Sequence, residues 1–345
     1  MKKILSLALV LILAMAVLCG GYAETTEELP KKVAFITGQS LSAPFMELCH
    51  QGIDMLDADG WECTDYELFE ASEYADAIRA AAADGNTCIV VMFDDLTSVA
   101  EELSEELAAQ YPNLTIFGTD SYYAQNTSNI VNIICDSWES SFLAGYVAAN
   151  TSNAKALGFI GVTDTTTFHR FAYGFTNGVK YAGSDQEVVL SYVGVDNDSV
   201  KGQEMAKAMF ANYDMDLIFQ AANLSGLGVI AECEAQEKLC IGCDSWQGGI
   251  YGQKTVFWSA LKSIQDAIYI ACNAAQQGTL DELVGTGTGR YFNYDCAGGA
   301  DLYALEDYEA LSPEMQEKVS TVIAGIQDGS IDVYEGYDEF RFTGL

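Results

Sequence analysis

Residues 216–247 read DLIFQAANLSGLGVIAECEAQEKLCIGCDSWQ, and this stretch decides the fold. Leu217-Ile218-Phe219 is an apolar run too short for a helix. Ser225-Gly226-Leu227-Gly228 opens a helix with Val229, Ile230 and Cys233 on one side. Residues 239–243 form a second apolar run, which Asp244 stops. Strand, helix and strand in this order make a βαβ unit, whose strands run parallel and are buried on both faces. Ligands of open parallel sheets sit beyond the carboxyl ends of the strands. Asn223 and Asp244 fall there.

The rest of the chain repeats the pattern. Upstream, residues 32–37 (KVAFIT), 66–69, 88–93 (CIVVMF), 114–118 and 130–134 read as strands, with helices expected over 45–57, 73–84 and 97–111. Asp94-Asp95 reads as the stop of the third strand, and Asp120 lies at the carboxyl end of the fourth. Phe45 follows the loop after the first strand; it reads equally as a core contact or as a ring covering one face of a ligand. The second half starts with a helix over 138–149, then a strand at 156–161 and a Thr-rich loop at 162–168. A helix ending at Tyr181, a strand at 188–193 and a helix at 200–211 lead into the quoted unit. After it, residues 255–262 (TVFWSALK) read as a strand, 263–276 as a helix, 291–294 as a short extended piece, and 312–327 as a last helix. Ser312, Pro313 and Gly329 suit the ends of that helix. The expected architecture is α/β, with two doubly wound parallel-sheet lobes.

The chain has 345 residues, enough for two domains that each bury a core, and half are hydrophobic;. With 16 basic against 50 acidic residues the net charge is −34. Nucleic acid and anionic membrane surfaces are not expected as partners, because both need clustered Lys and Arg. A ligand is expected to be neutral or cationic unless its pocket is locally basic. Lys2-Lys3 and the apolar run 4–18 form an export signal too short to span a membrane;. Two endings compete: signal-peptidase cleavage after Ala23, or a lipid-modified Cys19 in a bacterial lipobox, where Leu18 occupies a position that favours a small residue. Nine further cysteines show no disulfide framework, and Cys240 and Cys243 lie on opposite faces of one strand, so they read as small buried apolar residues;.

No catalytic or cofactor motif emerges. There are two histidines, His50 within a helix and His169 beside a loop, and no G-x-S-x-G, P-loop or G-x-G-x-x-G after a strand;. No acidic group lies at metal-ligand spacing with a histidine, and neither a metal nor a cofactor is expected. Asp120 and Asp244 in one cleft are able to run acid–base chemistry or, more simply, to accept hydrogen bonds from sugar hydroxyls. Carboxylates and aromatic rings at the strand ends of two lobes suit a clamshell that captures a small molecule.

Several motifs in order then resemble one family. Residues 139–146 (ESSFLAGY) are similar to E-G-S-F-L-x-G-Y; Gly158-Phe159-Ile160-Gly161, residues 170–175 (RFAYGF) and Gly178-Val179-Lys180 to G-F-V-G…R-F-x-Y-G-F…G-V-K. Ser225-Gly226-Leu227-Gly228 and residues 241–247 (IGCDSWQ) resemble T-G-x-G-V and I-G-V-D-x-D-Q, residues 259–262 (SALK) a strand ending in Lys, and residues 327–333 the tail I-x-x-G-x-I-x-V. This resembles the basic membrane protein family, the purine-nucleoside-binding components of bacterial ABC transporters. The resemblance implies a type I periplasmic-binding fold with three crossovers. It places an N-terminal lobe at 30–134 plus 256–284 and a C-terminal lobe at 135–255 plus 285–345. It also implies a ring-stacking role for Phe45, beside Phe171 of the RFAYGF motif, and ribose binding by Asp120 and Asp244. Further ligand contacts are implied for Arg170 and Lys262, and for Asn223 by analogy with the wider fold. The expected partners are a nucleoside and a membrane permease, with the protein exported and monomeric. The chain departs from the family in three places: the first loop, Thr37 to Met46, lacks its acids and its Asn; Asp196 stands for a Phe; and Trp246 stands for an acid. These departures leave open another nucleoside, a sugar or another small polyol. Rival readings are a sensory receptor of the same shape and an exported nucleoside-cleaving enzyme.

Overall fold

A computed structural model of the protein describes residues 29–341. The expected signal segment and Cys19 lie outside the described residues. The chain runs β1 (Lys32–Thr37), α1 (Pro44–Ala58), β2 (Glu62–Glu67), α2 (Tyr74–Ala83), β3 (Cys88–Met92), α3 (Phe93–Gln110), β4 (Thr115–Thr119) and β5 (Ile130–Ile134). It continues through α4 (Ser137–Thr151), β6 (Ala156–Gly161), α5 (Thr166–Tyr181), β7 (Glu187–Tyr192), α6 (Ser199–Asn212), β8 (Met215–Ala221), α7 (Asn223–Ala235), β9 (Leu239–Asp244), α8 (Gln247–Tyr251) and β10 (Val256–Leu261). It ends with α9 (Ile264–Gln276), α10 (Leu280–Val284), β11 (Arg290–Asn293), α11 (Leu305–Glu309) and α12 (Pro313–Gln327).

The strands form two all-parallel sheets, β11-β5-β4-β3-β1-β2 and β10-β9-β8-β6-β7. Central strands such as β3, β5 and β6 are buried along their whole length, as parallel strands covered by helices on both faces must be;. The edge strands β2 and β7 are only partly buried. One core gathers Phe35, Val90, Phe117 and Ile133 under α1 and α9; another gathers Phe142, Phe159, Phe175, Phe219 and Trp258. Cys243 packs in that second core and Cys240 in a separate cluster with Ile160 and Ile218, so the two thiols do face opposite sides of β9. All nine cysteines of the described residues are free.

Several expectations shift. β2 starts four residues and ends two residues earlier than the run at 66–69 suggests: it is held in register Lys32↔Glu62 to Thr37↔Glu67, leaving Leu68 and Phe69 beyond its end. An edge strand takes its limits from its partner, and its polar residues tolerate the solvent. β3 ends at Met92, and Phe93, in the left-handed region at φ 64°, turns the chain directly into α3. Asp94 and Asp95 therefore sit in the first helical turn, where carboxylates complement the helix dipole;. β10 pairs with β9 in the second sheet and β11 with β5 in the first, so these two strands fall on the other side of the expected boundaries. The crossovers come after each of these strands: α9 packs on the first core, whereas residues 302 and 303 bond back to β10.

Close helix packing sets the second lobe. A Cβ at Gly145 would lie 2.0 Å from the Phe175 carbonyl oxygen, and one at Gly178 would lie 1.8 Å from that of Phe142. The backbones of α4 and α5 thus touch, which fixes the amino-terminal half of α5 against the cleft. At the hinge, the Glu139 carboxylate in α4 accepts a hydrogen bond of 2.8 Å from the Cys296 N–H, linking the first crossover to the third.

Burial pushes the Glu139 carboxyl up to about 7 from a usual 4.5; Asp295 and Asp136 add to the rise and the Cys296 N–H opposes it. The native state therefore keeps a proton that the unfolded chain releases. The stability tied to this proton is present below about pH 4.5 and is lost as pH rises through 7;. In urea titrations Glu139→Gln is expected to be insensitive to this loss, gaining on the parent by about 1–3 kcal/mol between pH 4.5 and pH 8;. An unchanged difference across that range would contradict the assignment.

Candidate ligand-binding cleft

The carboxyl ends of both sheets face one cavity of about 690 Å³, a size suited to a small organic ligand;. Phe45, Asp120, Phe171, Asn223, Asp244 and Lys262 all line it. Four residues at strand ends hold left-handed backbone: Phe93 (φ 64°), Asp120 (50°), Asn223 (50°) and Asp244 (66°). Asp and Asn tolerate this region through local hydrogen bonding, but a Phe there is strained. All four line the cavity, so the backbone is bent where the ends of β3, β4, β8 and β9 must present side chains inward;.

Lys262 is the electrostatic centre. It ends β10, and its ammonium lies 2.6 Å from Asp120 Oδ1, with the two side chains only 3% and 6% exposed. Burial alone would push the Lys262 pKa down. Asp120, Tyr122 and Asp244 more than reverse this, and the group is held above its usual value and stays charged. Burial raises the Asp244 carboxyl, Lys262 and the Cys243 thiol pull it back, and Asp120 adds to the rise. The ammonium also lies over two rings, 4.9 Å from the centroid of Phe45 and 5.8 Å from that of Phe171. Phe45 comes from α1 beside the first sheet and Phe171 from α5 beside the second, so rings from both lobes flank the same charge. Phe93 stacks on Phe45 at 6.1 Å and Phe168 on Phe171 at 6.4 Å. The Asn223 Oδ1 is buried and has no hydrogen-bond partner in the protein. It is an acceptor waiting for a donor.

Arg170 does not line the cavity. Its Nη1 donates to Asp136 Oδ2 at 2.9 Å, and its guanidinium lies 4.7 Å from the Tyr122 ring centroid. Asp136 caps α4 through the Trp138 N–H and also accepts from the Tyr334 hydroxyl. Arg170 thus joins the first crossover, the loop after β4 and the carboxy-terminal tail behind the cavity wall. Its neighbour Phe171 points into the cavity instead, because successive helical residues project about 100° apart. His50 pairs with Asp54 and Asp65, and His169 with Asp164; neither lines the cavity. Among the described residues no group of His, Cys, Asp or Glu is arranged to hold a metal ion.

The wall contains residues that the sequence reading does not assign to a ligand site: Gln39, Phe93, Asp94, Asp95, Thr163, Thr167, Phe168, Val195 and Asn197. Asp196, noted only as a departure from the family pattern, also lines it. Each follows the carboxyl end of a strand, so the rule that singles out Asn223 and Asp244 was sufficient to find them. Asp94 braces the loop after β4, its Oδ1 accepting from Ser121 Oγ and the Tyr122 N–H at 2.8 Å each.

Replacing Lys262 by Met leaves Asp120 and Asp244 without their shared cation. A loss of about 3 kcal/mol is expected in urea denaturation at pH 7, the cost typical of breaking a buried pair. The loss should shrink at pH 5, because the Asp244 carboxyl, raised by burial and no longer pulled back by Lys262, takes up a proton more readily; an equal loss at both pH values would contradict the role given to Lys262.

Comparison with known proteins agrees with this geometry. The family described as Bmp, ABC transporter substrate-binding protein PnrA-like, matches residues 33–287. The chain is 26% identical to basic membrane protein A of Borreliella burgdorferi over 333 residues, covering 93% of this chain and 94% of that one. It is 35% identical to basic membrane protein D of the same species over 160 residues, a match that spans 46% of each chain. In structure it is similar to an ABC transporter system solute-binding protein from Aeropyrum pernix K1, with a TM-score of 0.70 at 20% identity, covering 90% of this chain and 95% of that one. These likenesses confirm two parallel α/β lobes of the periplasmic-binding type. With the cleft and its charged hinge in place, the chain belongs to the PnrA-like family of ABC transporter substrate-binding proteins.

Proposed function

We propose that this substrate-binding protein is exported and captures a nucleoside, a purine nucleoside foremost, for delivery to a membrane permease. The observation that carries this reading is the Lys262 ammonium lodged beside Asp120 and Asp244 and flanked by the rings of Phe45 and Phe171. A ribose presents adjacent hydroxyls, each of which donates to a carboxylate and accepts from an ammonium. A planar base offers faces to aromatic rings. Asn223, with its unpartnered carbonyl oxygen, supplies a further acceptor. Asp120, Asp244, Lys262 and Asn223 therefore bind the sugar, and Phe45 and Phe171 bind the base. Arg170 has a positioning role, holding the crossover and Tyr122 behind the site.

Capture follows from hinge closure of the two lobes, which brings the two sets of groups onto one ligand. Export rests on the amino-terminal segment, basic at Lys2-Lys3 and apolar over 4–18. Among the described residues no helix is long and apolar enough to cross a membrane.

Thermal unfolding against inosine, guanosine, adenosine, cytidine, ribose and galactose tests this. A ligand at about 100 times its Kd should add roughly 2.7 kcal/mol. That corresponds to a rise of several degrees at about 2–4 °C per kcal/mol. Purine nucleosides are expected to raise the Tm and free ribose to leave it unchanged; no shift with any nucleoside would overturn the ligand assignment.

A further inference from the structure

We propose that Asp95 and Asp196 form a pair of gating carboxylates at the mouth of the cleft, and that they select a nucleoside whose outer edge carries an amino group. This inference rests on the nucleoside reading above and deepens it.

The sheet orders set the depth of each group. In the first sheet the strands run β11-β5-β4-β3-β1-β2, and in the second β10-β9-β8-β6-β7. The chain crosses between lobes after β5, β10 and β11, so the hinge lies at that side of both sheets. Asp120 follows β4 and Asp244 ends β9, close to the hinge, where Asp120 pairs with Lys262 and Asp244 feels its charge. Asp95 lies beyond β3, one strand further out, and Asp196 beyond β7, the strand farthest from β10. Lys262 thus lies at the hinge side with the rings of Phe45 and Phe171 over its ammonium, and Asp95 and Asp196, one on each lobe, line the same cavity on strands farther from the hinge.

These two acids have the freedom to act on a ligand that Asp94 lacks. Asp94 spends an oxygen on Ser121 and Tyr122. Among the described residues the Asp95 carboxylate has only a long hydrogen bond of 3.4 Å from the Tyr74 hydroxyl. Asp196 holds its loop through its main chain, its carbonyl accepting from the Ser225 N–H at 3.0 Å, while its side chain lines the cavity. Ser225 Oγ donates to the Val195 carbonyl at 2.8 Å and accepts from the Asp198 N–H at 2.9 Å, so the loop carrying Asp196 is pinned to α7. The one cation of the cavity wall, Lys262, is engaged by Asp120 at the inner end. Lobe closure therefore brings two negative charges toward each other across a space losing its water, which raises their mutual repulsion. A ligand edge that donates N–H bonds relieves this repulsion.

Calorimetric titration of the mature chain with adenosine, guanosine and inosine tests the inference, alongside Asp95→Asn, Asp196→Asn and the double variant. Asp95 is exposed, so the single Asp95→Asn variant folds even if the double variant does not. The parent is expected to bind an amino-bearing nucleoside about tenfold more tightly than inosine, the effect of one charge-assisted hydrogen bond. Asp95→Asn should reduce that preference several-fold, and the double variant should abolish it. If nucleosides bind but the preference is absent from the parent or survives in the variants, the gate is wrong and the nucleoside reading stands. If no nucleoside binds the parent, the nucleoside reading falls and the gate with it.

Discussion

A single buried ammonium organises this molecule. Lys262 sits where the chain leaves the second sheet for the first, and its charge is shared by Asp120 from one lobe and Asp244 from the other. Taking a lysine out of water costs several kcal/mol, and only close opposite charges make it tolerable. The position of the ammonium therefore constrains the ends of β4, β9 and β10 together. Because these ends belong to different sheets, the same interaction that neutralises the lysine also sets how the lobes meet at the hinge end of the cleft.

The surrounding structure serves that arrangement. Asp120 and Asp244 take left-handed backbone to aim at the lysine, and Phe93 accepts the same strained region to turn β3 into α3 without a loop. Behind them, the bonds that Asp136 makes with Arg170 and with Tyr334 secure the first crossover, and the Trp138 indole donates to the Val333 carbonyl at 2.6 Å, tying the tail to the same place. Glu139 reaches the third crossover. The hinge is thus a small network of buried polar groups, while the lobes themselves are held by apolar packing. Such a division suits a protein whose lobes must move as rigid units.

Much of this was legible in the residue pattern. Apolar runs bounded by Gly and Asp locate the buried central strands, since a strand covered on both faces has no polar alternation to hide it. The rule that ligands sit beyond strand ends finds Asp120, Asn223 and Asp244. What escaped has physical causes. β2 is limited by pairing with β1, which local composition does not report. Phe93 continues an apolar run in sequence, although its backbone has already left the strand. The side of the hinge on which β10 and β11 fall depends on sheet pairing between distant segments. Arg170 and Phe171 are adjacent in the same motif, yet one faces the hinge network and the other the cavity, a difference set by helical rotation.

The central claim is that ligand is anchored at the hinge end by the Asp120–Lys262–Asp244 group. The most direct test is a crystal structure of the mature protein with guanosine. The account predicts ribose hydroxyls within hydrogen-bond distance of Asp120, Asp244 and Lys262, with the base between Phe45 and Phe171. A ligand bound the other way round, with the base against Lys262 and the ribose at the mouth, or one bound outside the cleft, would contradict it.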